Sequence, residues 1–156
     1  MGIKKNVELC YIILDMVSLY QIHGLIQMIV FLFLFPLGAT IALFRKSVGP
    51  NWRKMHVTVQ LTAITLFFIA ISLAFYAGNI QNKNKEKKEE KQINKVHKAL
   101  GRIIFILIVS QLIWAYQGRK LVNWMTWYYI HMTLSALIII SGVTNVLIAW
   151  KMISKK

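Results

Sequence analysis

Four runs of 21 residues or more, at 23–44, 53–77, 97–117 and 127–150, are apolar and almost free of charge. Hydrocarbon about 30 Å thick is crossed by about 20 residues rising roughly 1.5 Å each, so every run is long enough to span. Lipid offers no partner to an unpaired peptide group, which leaves helices as the only form for segments of this length. The exceptions to neutrality, Lys54, Lys98 and Arg102, fall near segment ends, where a long side chain reaches water. The expectation is an all-α, up-and-down bundle of four membrane-spanning helices in an integral, multi-pass membrane protein. With 57% hydrophobic and 15% charged residues and a mean hydropathy of +0.55, the composition is far from that of a soluble domain.

The net charge of +14 raises the question of nucleic acid, but the cations lie almost wholly outside the apolar runs. Membrane topology and anionic lipid account for them, and no nucleic-acid partner is expected. Thirteen Lys and Arg fall on the side of the two termini and the 82–95 connection, and six on the side of the other two connections. The positive-inside rule puts the larger group in the cytoplasm or matrix. The single cysteine, Cys10, excludes an internal disulfide and a cysteine-rich metal site.

Residues 1–22 begin with Lys4 and Lys5, and Glu8 and Asp15 interrupt their apolar stretch; no small-residue cleavage site follows, so a removed signal peptide is not expected. Asn6 stands where a myristoylation signal wants Ser or Thr. This segment is expected to lie at the interface or to extend the first helix. In the first run, Pro36 removes a helix hydrogen bond and should kink the second half. The brief SVGPNW connection makes runs one and two antiparallel neighbours. Residues 82–95, NKNKEKKEEKQINK, read as a solvated loop or fraying helix. Trp124, Trp127, Tyr128 and Tyr129 crowd the start of the last run as an interfacial aromatic belt. Residues 23–150 form one bundle and 151–156 a basic tail.

The chain has four histidines, His23, His56, His97 and His131, one near the start of each run. Alternating helix direction sorts them into two facing pairs, His23 with His97 and His56 with His131, each pair expected on neighbouring helices. At roughly 1.5 Å per residue the two levels lie on the order of 25 Å apart. One site therefore cannot use all four. Two imidazoles can hold a haem iron from both sides, so the spacing points to two haems, one near each surface. Zinc fits poorly, since the residues come in twos rather than the usual structural four.

Four residues after each histidine, on the same face, stand Gln27, Gln60, Gly101 and Ser135. Glycine and serine there leave room for a flat macrocycle, and a glutamine can hydrogen-bond a propionate or an imidazole. Fourteen residues beyond their histidines come Gln111 and Asn145, placed to approach the opposite haem, or to form an interhelical hydrogen bond with no ligand. Phe67, Phe68 and Trp114 are expected between the two levels, mainly as packing. No nucleophile, general base or phosphate loop is evident, and no catalytic side chain is assigned.

The run from His23-Gly24 through Pro36-Leu37-Gly38-Ala39, Ala42 and Arg45, then Trp52, His56 and Gln60, resembles the cytochrome b-561 domain, especially the version attached to DOMON domains. His97, Gly101 and Gln111, then Trp127, His131, Gly142 and Asn145, continue the resemblance over about residues 23–150. It implies that His23 and His97 bind one b-type haem and His56 and His131 the other. It also implies transmembrane electron transfer, typically from ascorbate in the cytoplasm to monodehydroascorbate or ferric chelates beyond it, as an oxidoreductase of that type. The cations flanking His56 (Arg53, Lys54) and His97 (Lys98, Arg102) would attract an anionic donor or acceptor, or anchor the interface. The resemblance puts the His56 and His131 end in the cytoplasm, opposite to the cation count. The helix usual on each side of the family's four-helix core is absent, and no DOMON domain precedes it, so a subunit role in a larger assembly is a second expectation. In that reading the chain is a structural or haem-bearing membrane anchor of a respiratory or reductase complex. A channel or transporter is a weaker rival, for no inverted repeat of broken helices is seen.

Overall fold

A computed structural model describes residues 19–83 and 92–153, and these form four long helices. We label them α1 (Leu19–Leu43), α2 (Trp52–Lys83), α3 (Gln92–Leu121) and α4 (Trp124–Ile153). No strand occurs among the described residues. Each helix contains a stretch long and apolar enough to cross a membrane. The fold is the expected all-α four-helix bundle, running up and down.

The helices outlast their apolar runs. α2 continues through Lys83, and α3 already begins at Gln92, inside the stretch read as a solvated loop or fraying helix. Residues 84–91, and with them most of that connection, lie outside the described part. So do 1–18 and 154–156. Residues 19–22 belong to α1, while the rest of the N-terminal segment, expected at the interface or extending the first helix, lies outside the described residues.

Both short connections have a physical cause. After α1 a single turn, Arg45–Val48, stops at Gly49, whose φ of 89° suits a residue without Cβ. Pro50 follows, and the backbone N–H of Trp52 returns to Gly49 O at 3.2 Å. Between α3 and α4, Asn123 caps the new helix: its Oδ1 accepts from Thr126 N–H at 2.9 Å.

The helices pair as two hairpins, α1 on α2 and α3 on α4, and the hairpins meet chiefly where α1 lies against α4. The buried core runs along the middle of the bundle through Val30, Phe31, Phe35, Ala63, Phe67, Ile104, Ile108, Ile138 and Val146. Phe31 packs edge-on against Phe67 at 6.0 Å, and Phe68 against Phe105 at 5.8 Å. Gly142 makes the α1–α4 approach possible, since a Cβ on it would fall inside the Phe31 ring.

Pro36 stands in the first turn of the α-helical second half of α1, directly after an irregular turn. The turn before it, Val30–Leu34, is a π-helix in which Phe35 N–H reaches back to Val30 O. Such a turn takes one more residue than an α turn and absorbs the donor that proline lacks.

The outer surface is apolar: Phe33, Phe75 and Tyr116 are 66%, 71% and 73% exposed. Outward hydroxyls are satisfied within their own helices, Thr40 on Pro36 O, Thr62 on Thr58 O, Ser72 on Phe68 O and Thr144 on Ile140 O. A patch of this extent suits hydrocarbon rather than water.

Candidate functional site

The four histidines come together in two pairs at opposite ends of the bundle. The rings of His23 and His97 have centroids 6.4 Å apart with planes at 87°, and those of His56 and His131 are also 6.4 Å apart, with planes at 68°. All four are partly buried. The pairs join α1 to α3 and α2 to α4. Neither combination is among the helix pairs whose backbones pack together, so the partners stand on diagonal helices rather than on the neighbouring ones expected. The reason is the hairpin order: helices running in the same direction sit across the bundle from each other.

Each ring is steadied from the antiparallel helix of its own hairpin. His23 Nδ1 lies 2.8 Å from Ala70 O, and His56 Nδ1 lies 2.7 Å from Gly38 O. In the second hairpin the neighbours are side-chain amides. Gln111 Nε2 stands 2.9 Å from His131 Nδ1, and Asn145 turns both its side-chain amide and its backbone carbonyl toward His97. Gln111 Nε2 also donates to Ser135 Oγ at 2.8 Å and to His131 O at 3.2 Å. Gln111 and Asn145 thus sit at the ends where their spacing put them.

The same register underlies all four contacts. From His56 to Ala70, from His97 to Gln111 and from His131 to Asn145 is 14 residues; from His23 to Gly38 it is 15, and the π turn lies between. Fourteen residues of α-helix rise about 21 Å and return to nearly the same face. Each helix therefore carries a histidine at one level and a neighbour for the antiparallel histidine at the other.

The residues one turn after the histidines take different parts. Gly38 leaves the space that Gln60 fills, as a Cβ on Gly38 would lie 2.6 Å from Gln60 Nε2. Gly101 faces Asn145, its Cβ position 3.7 Å from Asn145 Nδ2. Ser135 does not leave open room as expected, because its Oγ is engaged with Gln111 and donates to His131 O at 2.8 Å. Gln27 is buried, and four buried polar atoms among the described residues lack a hydrogen-bond partner: Gln27 Oε1, His97 Nδ1, Gln111 Oε1 and Asn145 Oδ1.

Aromatic rings cover the His131 end. Trp127 stacks on His131 at 4.9 Å with planes 12° apart, and Trp124 stacks on Trp127 at 5.0 Å. Arg119 lies over both indoles. Trp114 and Trp127 each donate an indole N–H to the other's backbone carbonyl at 3.2 Å, which places Trp114 at this level and not between the levels as expected. Gly118 gives the pair its room, since a Cβ there would lie 2.8 Å from Trp114. Trp127 was legible as part of a belt and of the resemblance but not as a neighbour of His131, although its position four residues before that histidine is a helical-neighbour signal. Ala70 and Gly38 were not legible as neighbours of histidine, because they act through backbone carbonyls.

Arg45, Lys46, Arg53, Lys54, Arg119 and Lys120 surround the His56 and His131 end, and no Asp or Glu occurs anywhere among the described residues. A shallow cleft of about 370 Å³ opens there, lined by Leu43, Phe44, Arg45, Lys46, Ser47 and Tyr128. Among the described residues no three His, Cys, Asp or Glu side chains gather into a metal cage, so the arrangement is one of pairs.

The fold and site define a helical bundle of membrane-spanning length with a histidine pair near each end. Comparison with family models, with curated proteins and with solved structures finds no match to this chain.

Proposed function

We propose that the chain carries single electrons across a membrane through two b-type haems, one held by His23 and His97 and the other by His56 and His131. The observation that carries this reading is the equal 6.4 Å spacing of the two ring pairs. A first-row metal would hold an imidazole nitrogen at about 2.0 Å, and that nitrogen lies about 1.1 Å from its ring centre, so two imidazoles sharing one iron would have centres up to about 6.2 Å apart. Edge-to-face contact alone also permits such a distance, but it gives no reason for one spacing at two ends.

The backbone contacts support the same reading. A metal-binding histidine usually donates its second ring N–H to a carbonyl or carboxylate, which fixes the tautomer that leaves the other nitrogen for metal. Ala70 O and Gly38 O stand in that position for His23 and His56. A haem needs only two side-chain ligands from the protein, in keeping with pairs instead of a cage. When bound, the haems supply one-electron chemistry; the chain supplies ligands, spacing and a dry interior. The core between the levels excludes water and keeps the two centres apart.

The resemblance to cytochrome b-561 domains suggests ascorbate as donor and monodehydroascorbate or a ferric chelate as acceptor. The cationic rim and the Arg45–Lys46–Tyr128 cleft suit a small anionic carrier at the His56 and His131 end. His97→Ala and His131→Ala test the ligand roles. Each is expected to lose one of two haems from a bundle that keeps its helical circular dichroism; an unchanged haem content in both would refute the assignment.

A further inference from the structure

The second hairpin repeats the first in register but not in chemistry. In α1 and α2 the neighbour of each histidine is a backbone carbonyl, an oxygen whose direction is set by the helix. In α3 and α4 the equivalent positions, 14 residues beyond a histidine, hold Gln111 and Asn145. Three of the four unpartnered buried polar atoms belong to these contacts: His97 Nδ1, Asn145 Oδ1 and Gln111 Oε1. A buried polar atom without a partner forfeits the hydration it had in water and gains nothing in return, so each of these atoms calls for a reason.

Resting on the di-haem reading above, we propose that Asn145 and Gln111 are positioning residues, whose amide oxygens take the Nδ1–H of His97 and His131 and thereby set the two haem potentials separately. Asn145 already turns its side-chain amide and its backbone carbonyl toward His97, although neither His97 Nδ1 nor Asn145 Oδ1 has a fully formed hydrogen bond there. A small rotation of the amide joins them. Gln111 stands with its nitrogen toward His131 and its oxygen idle. A half-turn about its last bond exchanges the two atoms without changing the shape of the amide. Metal on Nε2 keeps the proton on Nδ1, so the ligated ring calls for oxygen at that position. The turn gives up the bonds that Gln111 Nε2 donates to Ser135 Oγ and His131 O, while Ser135 Oγ keeps His131 O paired.

A carbonyl partner makes the imidazole a stronger donor to iron and favours the oxidised state; removing it lets the potential rise. Asn145→Leu and Gln111→Leu keep comparable bulk and remove the side-chain acceptor, whereas Asn145→Asp and Gln111→Glu keep one. The test is redox titration of the purified full chain loaded with haem, with His131→Ala or His97→Ala backgrounds assigning each potential. Asn145→Leu is expected to shift the His23 and His97 centre alone, at least tenfold toward the reduced form, about 59 mV for one electron. Gln111→Leu is expected to do the same at the His56 and His131 centre alone. The Asp and Glu variants should not raise either potential. Unmoved potentials in both Leu variants with two haems bound, or equal movement of both centres, would overturn the inference and leave the di-haem reading standing. If a Leu variant does not fold, a raised potential in its Asp or Glu counterpart overturns it equally. Absence of haem from the unmodified chain would overturn the reading itself.

Discussion

Each histidine in this bundle is held by two demands at once: its Nδ1 side faces a neighbour within its own hairpin, and its ring faces a histidine across the diagonal. The glycines serve that geometry at particular points. Gly38 lends both its carbonyl to His56 and its empty Cβ position to Gln60. Gly142 lends its surface to Phe31, and this contact fixes how near the hairpins come. Gly142→Ala should therefore destabilise the bundle by overpacking, about 1–3 kcal/mol. Thermal unfolding in detergent reads that as a lowered midpoint, and an unchanged midpoint would mean the hairpins separate freely. The histidines and amides were legible in the sequence because side chains of that chemistry are rare in apolar runs. Ala70 was not, because a carbonyl contributes chemistry without any mark in the residue name.

At the scale of elements, the π turn in α1 has a geometric use. Pro36 cannot donate, and the extra residue accommodated at Val30–Leu34 makes the 15-residue interval from His23 to Gly38 equivalent to the 14 of the other helices. An irregularity at proline could be expected from the sequence; the extra residue could not, since its effect appears only when the four intervals are compared in space. Deleting the exposed Phe33 together with Pro36→Ala should convert α1 to continuous α-helix with a 14-residue interval. Haem content is expected to stay at two per chain, whereas loss of the His56 and His131 centre would show that the interval has another purpose. Helix ends were the other gap. Apolar runs stop where charge begins, but α2 and α3 continue into charged flanks because hydrogen bonding in a helix does not depend on lipid.

For the whole molecule, four runs of spanning length dictated the architecture, and the alternation of helix direction dictated which histidines share an end. Hairpin pairing decided the rest, placing the partners on diagonals. Among the described residues the rim at the His56 and His131 end carries cations and no acid, which gives a one-signed field there. Electron exchange with an anionic ferric chelate at that end should slow as ionic strength rises, while a cationic carrier should speed up. Stopped-flow rates at two salt concentrations measure this, and equal responses for the two carriers would contradict a steering role.

The most direct test of the central claim is the haem-to-protein ratio of the detergent-purified chain, taken with its dithionite-reduced spectrum. Two b-type haems per chain are predicted. A folded bundle that binds none when supplied with haem would contradict the account and leave the histidine pairs as interhelical contacts in a structural membrane anchor.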